Sequence, residues 1–302
     1  MILISLIGEQ PIPNLLPIRD QPPAAAVLLY SDFTKKTAER LAKLLPAGCV
    51  ALPWPVAGAY DIESARQDLL CRIQSVGWSG PDLVFNLTGG TKLMSFAAYL
   101  VAAELRAPFL YLQSEGKQTR LYRYEFDAAG APHLVEDRLL PTLITIADYL
   151  HAFLDGYQMT GFAKDEQSKG AQFETAIYTA LQPAVDEIAA GLKHTGAVDV
   201  DFVVRCGNQV GIIEAKTGPG VKKGIDQLNT AGEPRYLGTY TQKLLISDQV
   251  WEHTLSNLKE LAQARRIEVI ELPSFGATGQ FTPKDADQLV RTVCGVLGRT
   301  RS

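Results

Sequence analysis

The sequence predicts an α/β protein of two domains, an open doubly wound sheet followed by a second α/β unit built around one hairpin. Three observations carry that reading. Residues 1–141 alternate short apolar runs with stretches of helical period, the pattern of a mainly parallel sheet. The chain has 302 residues, 46% hydrophobic and 21% charged, enough to fill two cores. Past a charged stretch at 164–170 (Lys164, Asp165, Glu166, Lys169) the order changes to helix, hairpin, helix. The domains are therefore set at 1–141 and 169–302, with 142–168 as a connecting helix and linker.

Each element has a local reason. Residues 2–7 are continuously apolar and read as a first strand, too short and without the basic leader of a signal peptide. A Gly- and Pro-containing loop, 8–13, follows, then a strand at 25–30. Ser31 or Thr34 is a candidate N-cap for an amphipathic helix reaching Leu45. A short strand at 50–53 and a helix at 61–76 come next, then a strand at 82–87 whose unbroken apolar run suits a buried parallel position. A helix at 93–105 and strands at 108–113 and 120–126, the last antiparallel, complete a Rossmann-like sheet. Leu143, Ile146, Leu150 and Leu154 recur at helical spacing and predict a helix over 142–155. The second domain reads as a helix near 170–190, a hairpin over 197–217, and then helix (221–231), strand (243–247), helix (250–265), strand (267–272) and helix (285–297).

Bulk properties exclude several classes. A net charge of −4 argues against wholesale coating of nucleic acid, although a locally basic groove remains open. The four cysteines (Cys49, Cys71, Cys206, Cys294) have no metal-binding spacing and read as reduced thiols of a cytoplasmic protein. The four histidines (His133, His151, His194, His253) form no ligand cluster, and no segment approaches the length of a membrane span.

Two constellations carry chemistry. Asn86-Leu87-Thr88-Gly89-Gly90-Thr91-Lys92 leaves a buried strand and opens a helix. Its glycines permit close backbone approach, and its N–H groups, hydroxyls and Lys92 suit phosphate oxygens. It is neither a Walker loop nor a dinucleotide fingerprint, and a tight strand-to-helix turn capped by threonine accounts for it equally well. The second constellation lies on the hairpin. Asp201 ends one apolar strand and Glu214-Ala215-Lys216 ends the other, joined by Cys206-Gly207-Asn208-Gln209. Glu214 and Lys216, two apart, share a face. Two acids and an amine on apolar strands suit a hard divalent cation and an attacking water held by the lysine. Asp199 lies on the same strand face as Asp201 and competes for the aspartate role. Gln227, on the following helix, is a candidate to orient substrate or water but reads most simply as a surface residue, and Lys222, Lys223, Arg235 and Lys243 form either a substrate groove or a solvated face.

The hairpin resembles the PD-(D/E)xK nucleases, though without a proline before the aspartate. The resemblance assigns Asp201 and Glu214 to metal binding, Lys216 to water activation and Glu174, on the preceding helix, to a supporting metal role. A Rossmann-like domain with N-x-T-G-G-T-K ahead of such a domain resembles the CRISPR-associated Rossmann-fold (CARF) nucleases. That implies ligand contacts at Gln10, Ser31 and Thr34 and at Asn86, Thr88, Gly89, Gly90, Thr91 and Lys92. It also implies a homodimer binding one cyclic oligoadenylate, usually cyclic tetra-adenylate, as activator. The expected activity is Mn2+- or Mg2+-dependent cleavage of single-stranded RNA or DNA, or nicking of duplex DNA, in type III CRISPR defence. A non-catalytic sensor and a constitutive restriction or repair endonuclease stay open as alternatives. Degradation of the ring by the sensor half, assisted by Thr91 and Lys92, also stays open.

Overall fold

The computed structural model describes residues 1–115, 118–162, 165, 167–251 and 256–299. The expectations on Lys164, Glu166, His253 and the start of the helix over 250–265 lie outside these residues. The chain divides into two compact units, Met1–Ile144 with His151–Phe153, and Thr145–Leu150 with Leu154–Ser302.

The first unit holds β1 (Ile2–Leu6), α1 (Ile12–Asp20), β2 (Ala25–Tyr30), α2 (Lys35–Ala42), β3 (Val50–Pro55), α3 (Ile62–Ser75), β4 (Leu83–Asn86), α4 (Lys92–Leu105), β5 (Phe109–Glu115), β6 (Gln118–Phe126) and β7 (Pro132–Leu139). The sheet order is β3-β2-β1-β4-β5-β6-β7. Strands β1 to β5 pair in parallel, and β6 and β7 add an antiparallel edge. Leu3, Ile4, Val27, Leu28, Val84 and Phe85, from both faces of the sheet, are buried, as a doubly covered parallel sheet requires. Two elements differ from expectation. Pro11 and Pro13 suggest a loop, yet proline is tolerated in a first helical turn, and α1 starts there. Strand β7, rich in charge and exposed on its outer positions, carries little apolar signal and is held by its ladder to β6.

Helix α5 (Ile146–Phe153) begins later than its apolar spacing suggests, because Thr145 caps it and its Asp148 side chain reaches back to the Thr145 N–H. The second unit continues with β8 (Gln158–Met159), α6 (Lys169–Leu181), β9 (Glu187–His194), β10 (Val198–Cys206), β11 (Gln209–Lys216), α7 (Val221–Ala231), β12 (Gln242–Ser247), α8 (Ser256–Ala264), β13 (Ile267–Glu271), α9 (Pro273–Thr278) and α10 (Pro283–Val296). Its sheet order is β13-β12-β11-β10-β9-β8, parallel among β11 to β13 and antiparallel elsewhere. The helix expected near 170–190 stops at Leu181. Residues 187–194 instead form β9, whose Ala-Ala pair favours helix locally but which pairs with β10 from Glu187 to His194. Phe173, Ile177 and Leu181 of α6 and Leu289 and Val293 of α10 pack with Phe202, Ile213, Ala215 and Ile246. Helix α7 lies against β10, β11 and β12.

Candidate functional site

The carboxylate cluster forms where the β10–β11 ladder ends. The register runs from Cys206 opposite Gln209 to Phe202 opposite Ile213. One step further, the Ala215 N–H donates to Asp201 Oδ2 at 2.7 Å, so the aspartate side chain closes the splayed end. Ile213 and Ala215 point into the core beneath α6 and α10. Alternation therefore turns Glu214 and Lys216 toward α7. Gly224 of α7 makes room for them. A Cβ there would lie 3.3 Å from Glu214 Cγ, 3.2 Å from Lys216 Cγ and 2.7 Å from a Leu245 methyl.

Charge is unbalanced in this volume. Glu214 is 0% exposed, and Lys216 Nζ donates to its Oε1. Burial, then the neighbouring Asp201 carboxylate, push the Glu214 carboxyl up to about 8, more than Lys216 offsets. Burial also raises Asp201, against the pull of Lys216 and the Ala215 N–H. For Lys216 burial acts downward, but the carboxylates of Glu214, Asp201 and Glu174 together raise it. Two carboxylates and one ammonium leave an excess negative charge in low dielectric, which a divalent cation would satisfy. Glu214 Oε2 is buried without a hydrogen-bond partner, as an atom meant for a metal would be. Among the described residues no three His, Cys, Asp or Glu side chains converge as a metal cluster. Glu174, half-buried on α6, acts on Lys216 electrostatically but does not complete such a cluster with Asp201 and Glu214.

Gln227 is no simple surface residue: its Nε2 donates to the Asp199 carbonyl at 3.0 Å, and its Oε1 is buried without a partner. Asp199 itself is 55% exposed and paired with Lys193 at 3.3 Å, which favours Asp201 for the buried role. Lys243 cannot line a groove, because its Nζ is turned to the Arg265 carbonyl at 2.5 Å. Lys222 and Lys223 are exposed on α7.

In the first unit the loops after β1 and β4 flank the point where strand order reverses, the usual ligand crevice of an open α/β sheet. Gln10 follows β1, Ser31 and Thr34 follow β2, and Thr88–Lys92 follow β4. Several of these are engaged within the protein. Asn86 is fully buried; its Nδ2 donates to the Pro13 carbonyl and its Oδ1 accepts from Thr88 N–H and Oγ1. Thr88 Oγ1 in turn accepts from Leu112 N–H at 2.9 Å. Thr34 is buried against Ser31, whose N–H donates to its Oγ1 at 3.1 Å. These three brace the loops through hydrogen bonds within the protein. Gly89 is required by the protein itself, since a Cβ would lie 2.0 Å from the Leu6 carbonyl oxygen. Thr91 caps α4 by accepting from Met94 N–H and donates to Ala59 O. Lys92 is exposed, and Gln10, Ser31 and Gly90 are partly so. On the same edge Phe33 and Tyr60 are each 79% exposed.

Residues 2–149 match the Card1 CARF domain. The N-terminal domain is a CARF domain. Solved structures resemble the chain well beyond it. Can2 from Sulfobacillus thermosulfidooxidans, determined with cyclic tetra-adenylate, has a TM-score of 0.72 at 16% identity, over 96% of this chain and 98% of its own. Protein VC1899 from Vibrio cholerae has a TM-score of 0.70 at 15% identity, over 98% of each chain. A type III CRISPR defence DNA nuclease activated by cyclic oligoadenylate has a TM-score of 0.61 at 15% identity, over 87% of this chain and 51% of its own. At such identities the likeness is one of fold, covering the CARF domain and the unit that follows. Comparison with curated proteins found no match.

Proposed function

We propose that the chain is a nuclease of type III CRISPR defence, switched on by a cyclic oligoadenylate held at the CARF domain of a homodimer. The observation that carries the nuclease half is the under-neutralised pair of buried Glu214 and half-buried Asp201 beside Lys216, at the end of a hairpin. The family match and the fold of Can2 support the sensor half. The residues fit a Mn2+ or Mg2+ ion. Such ions are often held by one or two carboxylates and completed by substrate phosphate oxygens and water, so two well-placed acids suffice. Asp201 and Glu214 would hold the ion, with Glu174 as outer support. When bound it supplies charge neutralisation at the scissile phosphate. Asp201, fixed by the Ala215 N–H, and Glu214, fixed by Lys216, are set before substrate arrives. With its pKa raised, Lys216 remains an ammonium at neutral pH. It therefore orients water and faces the developing phosphate charge rather than removing a proton.

At the sensor edge, Gln10, Ser31, the Gly90–Lys92 turn and the N-terminus of α4 would meet phosphates of a cyclic tetra-adenylate ring. A ring with internal two-fold symmetry suits two copies of the same loops. The proposal is tested by nuclease assays on labelled single-stranded RNA, single-stranded DNA and supercoiled plasmid with manganese, with and without cyclic tetra- and hexa-adenylate. Cutting only with one ring present supports it; cutting without any ring makes the protein a constitutive nuclease. The lack of a three-ligand cluster among the described residues favours a second reading, a non-catalytic sensor. That reading predicts no cutting under any condition and no loss of nucleic-acid binding on chelation.

A further inference from the structure

Glu214 Oε2 and Gln227 Oε1 are both buried, and neither accepts a hydrogen bond. Both belong to the region between helix α7 and the end of the hairpin. Continuing the β10–β11 register past Phe202 and Ile213 sets Asp201 across from Glu214 and Asp199 across from Lys216. Helix α7 packs on both strands. Its Gly224 lies against Glu214 and Lys216. Gln227, three residues on, shares that face of the helix and reaches β10 at Asp199. Chemistry fixes which way its amide points. The Asp199 carbonyl can only accept, so the Gln227 nitrogen must face it and the oxygen must face away. An acceptor held in that way, buried and unpaired, calls for a partner that the protein itself does not supply.

We propose that Gln227 Oε1 is the third protein oxygen for the divalent cation held by Asp201 and Glu214. The inference rests on the nuclease reading above and adds a ligand to its centre. Among the described residues no third His, Cys, Asp or Glu side chain joins the two acids, and a carboxamide oxygen is a hard donor of the same class. Its neutrality suits this volume. The two carboxylates already outnumber the one ammonium of Lys216, and the Glu214 side chain is 1% exposed. A third carboxylate would add a charge that the metal-free protein could not offset, whereas an amide adds an oxygen and no charge. The amide is also held in advance, because its nitrogen is bonded to the backbone of β10, as the far side of a metal ligand commonly is. Each of the three oxygens then has its own anchor: the Ala215 N–H for Asp201, Lys216 for Glu214 and the Asp199 carbonyl for Gln227.

The test titrates manganese alone into the full chain at pH 8, by isothermal calorimetry, and records melting curves with and without the metal. Wild type is compared with Gln227→Leu, Gln227→Glu and Glu214→Gln. Gln227→Leu is expected to weaken manganese binding about ten-fold or more while its metal-free Tm stays close to that of the wild type. Gln227→Glu keeps an oxygen and adds a charge, so it should lower the metal-free Tm yet bind manganese at least as tightly as the wild type. A glutamine that merely braces β10 would give the reverse pattern: a lower metal-free Tm in Gln227→Leu and an unchanged affinity for manganese. That result overturns the assignment of Gln227, and if Glu214→Gln still abolishes binding it leaves the nuclease centre intact. A wild-type chain that binds no manganese overturns both the ligand and the cation centre on which it rests.

Discussion

Glu214 should make the second unit less stable as pH rises, and Glu214→Gln should remove that loss. Its carboxyl stands at about 8 in the folded protein, against 4.5 in the unfolded chain. Below 4.5 the group is protonated in both states and imposes no penalty. Between the two values the unfolded state ionises and the folded state does not, so stability falls by about 1.4 kcal/mol per pH unit. Above the folded value the loss levels off at about 5 kcal/mol. Asp201, also raised, adds to the fall in the same direction. Lys216, also raised, has the same sign, but its unfolded value is 10.5 and its folded value higher, so its contribution is constant across this window. From pH 6 to 8 the wild type should lose about 2–3 kcal/mol, or about 5–10 °C in Tm for a unit of this size. Calorimetry of both proteins from pH 5 to 9 would follow the transition that responds to the substitution. The variant should show a flatter curve and exceed the wild type at pH 8. Manganese should restore the wild type most where a proton need no longer be displaced, near pH 8 and above, and leave the variant nearly unmoved. Parallel Tm curves with no differential effect of metal would refute the account of a desolvated, cation-seeking carboxylate.

Other substitutions probe single contacts. Lys216→Ala should abolish cleavage while cyclic tetra-adenylate still binds, as read by calorimetric titration; cutting at the wild-type rate would remove Lys216 from the mechanism. Gly224→Ala places a methyl against Leu245, Lys216 and Glu214. It should lower kcat about ten-fold or more while costing about 1–2 kcal/mol of stability, measured by paired kinetics and urea unfolding. Gly89→Ala drives a Cβ to 2.0 Å from the Leu6 carbonyl and should destabilise the CARF domain by about 3 kcal/mol or more in the same unfolding assay. Asn86→Ala leaves the loop after β4 without its buried brace and should cost about 2–3 kcal/mol; a loss of ring affinity with no loss of stability would instead mark Asn86 as a ligand contact.

What was legible in the sequence was local. The hairpin 198–216 announces itself through alternation, a two-residue Gly-Asn turn and paired acids at one end, and the structure closes it there. Strand β9 was not legible, because Ala189 and Ala190 carry no strand preference and only pairing with β10 makes them extended, while Gly191 between them and Leu192 takes a left-handed φ of 69°. Gly224 belongs to the site through α7, and nothing in its own neighbourhood in sequence says that a glutamate from β11 lies beside it. His194 reads alone as an isolated histidine; its contact with the Gly156 carbonyl appears only when 155–158 folds back along β9. The glycine pair at 89–90 shows the difference most clearly. A requirement for close approach is written in the residues, but the approaching group is the Leu6 carbonyl of β1 rather than a phosphate.

That difference bears on how a sensor loop can be read at all. If Asn86, Thr88 and Gly89 are consumed in bracing the loops after β1 and β4 against each other, recognition falls to what is left on the outside: Gln10, Ser31, the N-terminus of α4 and Lys92. The brace is what makes those groups useful. Gly8 and Gly90 meet backbone to backbone, with a Cβ on Gly8 only 3.1 Å from the Gly90 nitrogen. A ligand that spreads the two loops must therefore disturb the strand-reversal point at the centre of the sheet, and one that fits between their outer faces need not. The same economy holds in the second unit, where Asp201 is held by a backbone N–H and Glu214 by Lys216 before any substrate arrives. In both places the polar groups that the sequence singles out are divided between those that fix geometry and those that act, and burial decides which is which.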